Sequence, residues 1–446
     1  MKRKLLAVGI ILLFIGTCII PAIAQDIKES SQPTSKGNWL YVGGSGPGNY
    51  TKIQDAIDNA SDGDTVFVYN DLSPYYEHVS VNKSLKLLGE DKNTTIIDAS
   101  GIQDVINIIS DNVLVCGFTL QNSGNNTLYN ISDSAVDLRA NNSKITNNII
   151  ISNRGNGITL LWANNNNIEN NLLTDNVYTD IKLSHYSSNN TIANNTVYHS
   201  DNGIYLYIKC KHNIIKDNTA QNCELCGINF YWDCDENIIT RNLLFNNHDY
   251  GIWFYDSNNN SIYHNDLIRN NRNARDKDGI NNWDNGYPSG GNYWDDYMGK
   301  DDYSGVNQNE SGPDGIGDTP YNISDGNNQD QYPLMIPYGW TKLAIRIHSM
   351  SPRPSMSIKN VGNITAINVQ WSIIIKGGFI LIGRNSSGEL LQPLPPGQEI
   401  MVKSRFFLLG LGKIEMTYTA WADNAPVVSV RINGILLLFF FRPIGK

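Results

Sequence analysis

Long apolar segments are nearly absent from this chain of 446 residues. Beyond the N-terminus the longest candidate is Ile435 to Phe441, seven apolar residues, whereas a membrane-spanning helix needs roughly 20. This scarcity excludes a multi-pass membrane protein. The N-terminus differs, since three positive charges within residues 1–4, an apolar stretch from Leu5 to Ile20 and a Pro-Ala-Ile-Ala site predict a signal peptide, residues 1–24. An uncleaved membrane anchor is the alternative.

Positive charge is also scarce, with 34 lysines and arginines against 43 aspartates and glutamates and a formal net charge of −9. Such a balance excludes nucleic acid and disfavours anionic membranes as partners, because both repel a negative surface. Histidine and methionine number seven each, are scattered, and form no tract. Copper is bound by clustered His, Met or Cys, so the sequence disfavours a copper site.

A repeat of about 23 residues runs through the middle of the chain. Its units alternate apolar and polar residues and start 22 to 24 residues apart, at Ala135, Gly157, Asp180, Gly203, Gly227 and Gly251. In every unit an isoleucine precedes an asparagine by three residues: Ile145/Asn148, Ile168/Asn171, Ile192/Asn195, Ile215/Asn218, Ile239/Asn242 and Ile262/Asn265. Two columns therefore keep one register over six units.

This pattern predicts an all-β parallel β-helix with three short strands per coil, stacked at about 4.8 Å. We expect the isoleucines to fill the bore and the asparagines to hydrogen-bond from coil to coil. The β-helix is placed at residues 65–298. A linker and N-terminal cap helix precede it at residues 25–64, because Thr51 to Ala60 presents one apolar face. An acidic segment rich in Gly and Asp follows at residues 299–340.

Three stretches carry a family resemblance. "TKIQDAIDNASDGDTVFVY" at residues 51–69, followed by "VSVNKSLKLLGE" at 79–90, resembles the start of the pectin-lyase-like superfamily. The Asn-rich coils are similar to the NosD-like, or carbohydrate-binding and sugar hydrolysis (CASH), proteins, and residues 281–335 to the close of that domain in secreted archaeal proteins. The resemblance implies a right-handed β-helix. It implies activity weakly, since the superfamily holds lyases, hydrolases, esterases and epimerases beside members with no known reaction.

An aromatic stripe is the leading candidate for a binding site. Counted from each coil's first residue, positions +1 and +3 point inward and +2 and +4 outward. The outward columns hold Tyr205, Tyr207, Tyr231, Trp253 and Tyr255. Aromatic rings offer apolar faces to sugar C–H groups and a polar rim to hydroxyls, so we expect glycan binding here. The alternatives are that the rings only stabilise the sheet or are covered by the C-terminal domain.

Catalysis has weaker candidates. Hydrolysis of a glycosidic bond needs two carboxylates, and Asp233 and Asp256 lie at neighbouring coil corners beside the stripe. Acidic residues at corners are usually only solvated, and the Gly-His-Gly and Asp-Pro-His-Asp motifs of active relatives are missing. A polysaccharide lyase or hydrolase therefore stands as the alternative to a non-catalytic binder, with a purely structural envelope protein as the third hypothesis.

Cysteine and aspartate spacing give two further hypotheses. Cys210 and Cys234 occupy the same position of adjacent coils, which predicts Cα atoms about 5 Å apart and a disulfide in an oxidising exterior. Cys223 and Cys226 form a CxxC pair that is open between zinc, a local disulfide and free thiols. Carboxylates cluster with glycines in one loop and make calcium a possible cofactor: Asp301, Asp302, Asp314 and Asp318.

The composition changes after residue 340. Strand-like runs separated by Gly, Pro and Asn turns predict an immunoglobulin-like β-sandwich at residues 341–446, similar to the adhesion-type modules of secreted archaeal proteins. Together these features predict a secreted or cell-surface protein that binds a polysaccharide or glycosylated envelope without cleaving it.

Overall fold

The computed structural model describes residues 37–444, apart from 129–130, 340, 363–364, 391, 396 and 423–424. The predicted signal peptide, residues 1–24, lies outside the described residues. The chain forms two compact units, one ending at Met335 and the other beginning at Ile336. No helix among the described residues is long and apolar enough to cross a bilayer.

Three parallel sheets form the first unit and confirm the predicted β-helix. Sheet A contains Trp39–Val42, Thr65–Val68, Lys86–Gly89, Leu114–Cys116, Lys144–Thr146, Asn167–Glu169, Thr191–Ala193, Ile214–Lys216, Ile238–Thr240 and Ser261–Tyr263. Sheet B contains Ile96–Asp98, Thr119–Gln121, Ile149–Ile151, Leu172–Thr174, Thr196–Tyr198, Thr219–Gln221, Leu243–Phe245, Asp266–Ile268 and Tyr293–Trp294. Sheet C contains Val79–Val81, Ile106–Ile108, Ser134–Leu138, Asn156–Leu161, Thr179–Ser184, Asn202–Tyr207, Cys226–Tyr231, Tyr250–Tyr255 and Arg272–Lys277.

Like residues stack in register from coil to coil. Ile145 pairs with Ile168 and Ile168 with Ile192, and all three side chains are fully buried in the bore. In sheet C the inward positions, such as Leu206 and Phe230, are equally buried. The β-branched residues suit both the pleated strand and the packed column, which explains why the period is visible in the sequence.

Asparagine ladders close the corners. In the predicted column each backbone N–H donates to the Oδ1 of the next asparagine at 2.9 to 3.1 Å, through Asn148, Asn171, Asn195, Asn218, Asn242, Asn265 and Asn292. The Nδ2 of Asn218 also donates to Asn242 Oδ1 at 3.0 Å and to the Ile192 carbonyl at 2.9 Å. A second ladder runs through Asn166, Asn190, Asn213, Asn237, Asn260 and Asn281. These buried amides are structural, as predicted.

A short helix, Ile53–Asn59, covers the N-terminal end of the bore with Ile53, Ala56 and Ile57 buried. Its termini are held by charges of the sign that the helix dipole favours. Glu77 accepts the N–H groups of Ile53 and Gln54 at 2.8 and 3.0 Å. Lys83 donates to the carbonyls of Ile57, Asp58 and Ala60 at 2.7 to 3.0 Å. This helix lies within the stretch Thr51 to Ala60, whose apolar face predicts a helix.

The opposite end of the bore is covered by the segment that follows the last coil. Trp283, Trp294 and Ile323 are buried there with the core. Two short hairpins continue this segment: Tyr303–Ser304 with Glu310–Ser311, and Tyr321–Asn322 with Gln329–Asp330. Asp330 is fully buried and accepts the indole N–H of Trp294 at 2.8 Å. Part of the acidic segment predicted at residues 299–340 is therefore a C-terminal cap.

The second unit consists of two antiparallel sheets. The smaller contains Leu343–Ser349, Ser355–Asn360 and Glu399–Lys403. The larger contains, in spatial order, Asn385–Glu389, Gln370–Ile382, Leu409–Ala422, Ala425–Leu438 and Phe440–Pro443. The strand Gln370–Ile382 has a register shift between Gly377 and Phe379 where it pairs with Leu409–Ala422. The antiparallel sheets are confirmed, while the immunoglobulin-like assignment stays a prediction.

Candidate functional site

The outward face of sheet C carries the predicted stripe. Register aligns Tyr207, Tyr231 and Tyr255 in one column, and Tyr205, Asn229 and Trp253 in the other. The five aromatic side chains are partly exposed while their inward neighbours are fully buried. The alternation of the repeat thus predicted their direction correctly, because successive residues of a strand face opposite sides.

The rings form one connected surface. Tyr231 and Tyr255 stack with centroids 4.7 Å apart, and Tyr207 lies 6.2 Å from Tyr231. Tyr205 lies 5.7 Å from Tyr207, and Trp253 meets Tyr231 edge to face at 6.4 Å. Trp232, at the coil corner, extends the surface by packing 4.7 Å from Tyr231. Contacts of this kind hold the rings in place before a ligand arrives.

Cations flank the stripe on both sides. Lys182 lies one coil before it, with its Nζ 5.9 Å from the Tyr205 ring and 5.6 Å from the Tyr207 ring. One coil beyond it, Arg275 lies 5.4 Å from the Trp253 ring and Lys277 lies 5.4 Å from the Tyr255 ring. The three cations continue the same two outward columns, so the coil register could have found them from the sequence.

A cleft of about 480 Å³ lies at the Lys182 end. The cleft is lined by residues of sheet C, by residues of the turns that precede its strands, and by Ser132 of a short insertion between two coils. The lining residues are Ser132, Asn156, Tyr178, Thr179, Lys182, Asp201, Asn202, Tyr205 and Tyr207. Burial lowers the pKa of Lys182 to about 8, because the charged ammonium group loses part of its hydration in the cleft. Burial also raises the pKa of Asp201, with a further contribution from Glu224.

Two buried polar atoms between the rings lack a partner among the described residues. They are Asn229 Oδ1 and the Nε1–H of Trp253, which are neighbours in adjacent strands. Asn229 uses its Nδ2 to donate to Asn202 Oδ1 at 3.2 Å. A buried donor and a buried acceptor without partners cost free energy, and both atoms lie beneath the surface of the stripe.

The two predicted catalytic carboxylates lie in adjacent coils but not in the cleft. The backbone N–H of Asp233 donates to the Asp256 carbonyl at 2.7 Å, and both side chains are exposed at the corner that follows sheet C. Both residues have positive φ, 53° and 48°, in the turn. Their exposure and turn geometry fit solvated corner residues, and catalysis at this pair stays a prediction.

Cys210 and Cys234 also lie one coil apart, and both are thiols in the structure, so the predicted disulfide is not formed there. Each thiol lies at a corner of its coil, where Ser187 and Ser257 of neighbouring coils donate their hydroxyls to backbone carbonyls. Cys210 donates to the Tyr207 carbonyl at 3.6 Å and Cys234 to the Tyr231 carbonyl at 3.5 Å. Burial, followed by the hydrogen bond to Cys234, raises the pKa of Cys210.

No group of three or more His, Cys, Asp or Glu with metal-binding geometry occurs in the described part of the chain. In the predicted calcium loop Asp301 accepts the N–H groups of Asp314 and Gly315 at 2.9 Å. Asp318 likewise accepts the N–H groups of Asp302 and Tyr303 at 2.9 and 3.1 Å. The carboxylates close the loop on itself, and calcium binding stays a prediction that this geometry does not favour.

The CxxC pair offers no zinc site. Cys223 and Cys226 are buried, and burial raises the pKa of Cys226 to about 12. The histidines of neighbouring coils have carboxylate partners instead, since His248 lies 2.9 Å from Glu224 and His199 lies 3.4 Å from Asp175. A metal needs the thiolate, which this environment disfavours.

Comparison with protein families finds a match over the β-helix. The model of the family described as periplasmic copper-binding protein (NosD) matches residues 57–248 and again 182–299, together more than half of the chain. Comparison with curated proteins gives no match. The donor set described above does not fit copper, because the His, Cys, Asp and Glu residues of the described part form no group of three or more that could hold a metal ion.

Solved structures give distant likenesses. Pectate lyase Pel9A is 13% identical with a TM-score of 0.44, over 61% of this chain and 84% of that one. The PL6 family alginate lyase AlyGC is 15% identical with a TM-score of 0.42, over 55% and 37%. The periplasmic alginate epimerase AlgG is 12% identical with a TM-score of 0.30, over 49% and 60%. The chain spans less than two thirds of the length of the last two.

Proposed function

The chain belongs to the NosD family of β-helix proteins, and we propose that it is an exported protein that binds an acidic polysaccharide along the aromatic stripe of sheet C. The observation that carries this proposal is the order of side chains on the face: Lys182, then five aromatic residues, then Arg275 and Lys277. From Lys182 to Arg275 there are four coil steps of about 4.8 Å, about 19 Å in all. A short oligosaccharide spans that distance.

Each part of the face suits a part of such a ligand. The rings of Tyr231 and Tyr255 suit the apolar faces of sugar rings. The ammonium groups of Lys182 and Lys277 suit carboxylates, whereas the Arg275 guanidinium already pairs with the Asp325 carboxylate at 2.6 Å. The rest of this unit is acidic and repels such a polymer elsewhere, which favours the stripe over other surfaces.

The name of the family refers to copper, and that activity is not carried over to this chain because the donor set does not fit it. Location outside the cytoplasm is part of the proposal. It is supported by the predicted signal peptide and by the periplasmic description of the family.

The test is binding of residues 25–446 to an array of acidic and neutral polysaccharides, followed by titration of each ligand found. We expect acidic glycans to bind, and Tyr231→Ala/Tyr255→Ala to weaken binding at least about tenfold, the loss of two stacking faces. Tyr76→Ala is the control, because this tyrosine is exposed outside the stripe. Equal affinity of the double variant and wild type would contradict the proposal.

A lyase is the second candidate, and Lys182 favours it. Because the pKa of Lys182 is about 8, a fraction of its amine is unprotonated near neutral pH. This amine can accept the proton from the carbon atom that bears the uronate carboxylate. The C–O bond to the next sugar would break, its oxygen would take a proton, and a C=C bond would form in the product. Unsaturated products in the wild-type reaction, lost in Lys182→Gln, would replace the binding proposal with this one.

A further inference from the structure

The larger sheet of the second unit extends beyond its own core at one end. Gly377 and Gly378 have positive φ, 81° and 54°, and mark the point where the strand Gln370–Ile382 leaves the buried layer. Before them Ile373 and Ile375 alternate with outward residues and are buried. After them Phe379, Leu381 and Ile382 are exposed, and only Ile380 between them still packs, partly buried, against the core.

The neighbouring strands end in the same way at the same place. Register sets Ile382 beside Leu409, Leu411 beside Leu437, and Leu437 beside Phe440. The exposed residues of this end, which we call the apolar tip, are Phe379, Leu381, Ile382, Phe406, Phe407, Leu411, Leu437, Leu438, Phe439 and Phe440. Phe440 is 79% exposed and Phe379 65%, which is far more than packing within this unit requires. Soluble monomers rarely expose an apolar patch of this size without a use for it.

Cations surround the apolar tip. Arg353 lies over the Phe407 ring at 5.9 Å and Arg405 over the Phe406 ring at 5.6 Å. Lys376 and Lys413 line a cleft of about 530 Å³ at the level where the strands leave the core, and Glu415 is the acidic residue in its lining. The acidic residues Glu389 and Glu399 pair with Gln370 and Lys359, toward the opposite end of the sheets.

The net charge of the whole chain does not reveal that the second unit is positively charged. Residues 336–446 contain 12 lysines and arginines against four aspartates and glutamates, a formal charge of +8 in a chain whose total is −9. The remaining residues therefore carry −17. The net negative charge of the whole chain disfavours binding to anionic membranes. Binding to a membrane depends, however, on the charge of the unit that contacts it.

We propose that the apolar tip inserts into the interface of an anionic lipid bilayer, with the surrounding cations at the level of the phosphate groups. Exposed Phe and Leu bury apolar area among acyl chains, and each nearby Lys or Arg adds attraction to an anionic surface. Lys376 and Lys413 would face headgroup phosphates in their cleft. The acidic first unit is repelled by the same surface. This attachment is independent of glycan binding.

The experiment is sedimentation of residues 25–446 with vesicles of equal parts phosphatidylglycerol and phosphatidylcholine. We expect binding that weakens with added salt, and little binding to phosphatidylcholine alone. Phe379→Ser/Phe440→Ser should lower the partition coefficient at least about tenfold, since two aromatic side chains no longer enter the bilayer. Val427→Ser is the matched control, because Val427 is 67% exposed in the neighbouring strand but toward the other end. It should change partition less than about twofold.

A second measurement reports insertion without relying on a destabilising variant. The fluorescence of Phe440→Trp minus that of wild type, which has nine tryptophans, should shift to the blue with anionic vesicles and be quenched by brominated acyl chains. Absence of vesicle binding by wild type, equal binding of Phe379→Ser/Phe440→Ser, or an unshifted fluorescence signal from Phe440→Trp would each overturn the proposal. So would a wild-type dimer in solution that the double variant abolishes, because a second copy would then cover the tip.

Discussion

The first unit covers both ends of its core, whereas the second leaves one end of its larger sheet apolar and exposed. At the first unit's ends the helix Ile53–Asn59 and the segment with Trp283 and Trp294 exclude water from the bore. At the second unit's tip Phe379 and Phe440 have no such cover within their own unit. The charges differ in the same way, negative in the first unit and positive in the second. Under the two proposals above, binding of polymer and attachment to a surface are separate tasks of separate units.

The first unit depends on its asparagine ladders, and breaking one should have the largest effect. Asn218→Ala removes the acceptor for the Asn195 N–H and the donors to Asn242 and Ile192. Several buried groups then lack partners, and we expect a loss of about 3 kcal/mol or more in the free energy of unfolding. Calorimetry should show the transition of the first unit shifted down and that of the second unchanged.

Asn167→Ala is the control for the ladder. Asn167 lies in a strand of the same repeat, but its side chain is exposed. We expect a change below about 0.5 kcal/mol. Equal effects of Asn167→Ala and Asn218→Ala would show that the ladder contributes nothing beyond ordinary strand composition.

The pH dependence of stability should also separate the units. Burial raises the pKa of Asp330 and of Asp180 to about 7, above the value of an unfolded aspartate. The stability tied to each group is full at acid pH and is lost as pH rises through the folded pKa. We expect the first unit to lose about 2 kcal/mol per group between pH 5 and pH 8.

The check is the thermal transition of each unit over that pH range. In Asp330→Asn the transition of the first unit should be lower at pH 5 but should change less with pH than that of wild type. A first unit that gains stability from pH 5 to pH 8 would contradict the assignment of these two carboxyls.

The sequence was sufficient for much of the first unit, because a register that repeats every coil fixes inside and outside for each residue. Ile168 and Asn171 are predictable in this way, and so are the outward rings Tyr231 and Tyr255. The register also gives the outward position of Lys182, but not its burial in the cleft, because the cleft is lined in part by Ser132, which lies outside the repeat. Nor does the sequence predict that Cys210 acts as a corner hydrogen-bond donor in the way that serine does.

The second unit was less predictable for a physical reason. An apolar run in this unit can lie either in the core or on the surface. The strand Gln370–Ile382 does both, because it is buried before Gly377 and exposed after it. Only the pairing of Ile382, Leu409 and Leu437 with their neighbours shows that the exposed parts meet at one end.

The cysteine substitutions should have the smallest effect. Because Cys210 and Cys234 occupy a column shared with serines, Cys210→Ser/Cys234→Ser should cost less than about 1 kcal/mol. Native protein should react slowly with a thiol reagent and unfolded protein rapidly, as expected for buried thiols. The intact mass of the exported protein distinguishes two thiols from a disulfide. A mass lower by two hydrogens would show that Cys210 and Cys234 form the bridge that their spacing in the sequence predicts.

Calorimetric titration of an acidic oligosaccharide against wild type and Lys182→Gln, at pH 6.5 and at pH 9, tests the central claim most directly. Lys182 loses its charge as pH rises through its pKa of about 8. We therefore expect wild type to bind several-fold more tightly at pH 6.5 than at pH 9, and Lys182→Gln to bind weakly and equally at both. Tight binding by Lys182→Gln at both values of pH would contradict a site on this face of sheet C.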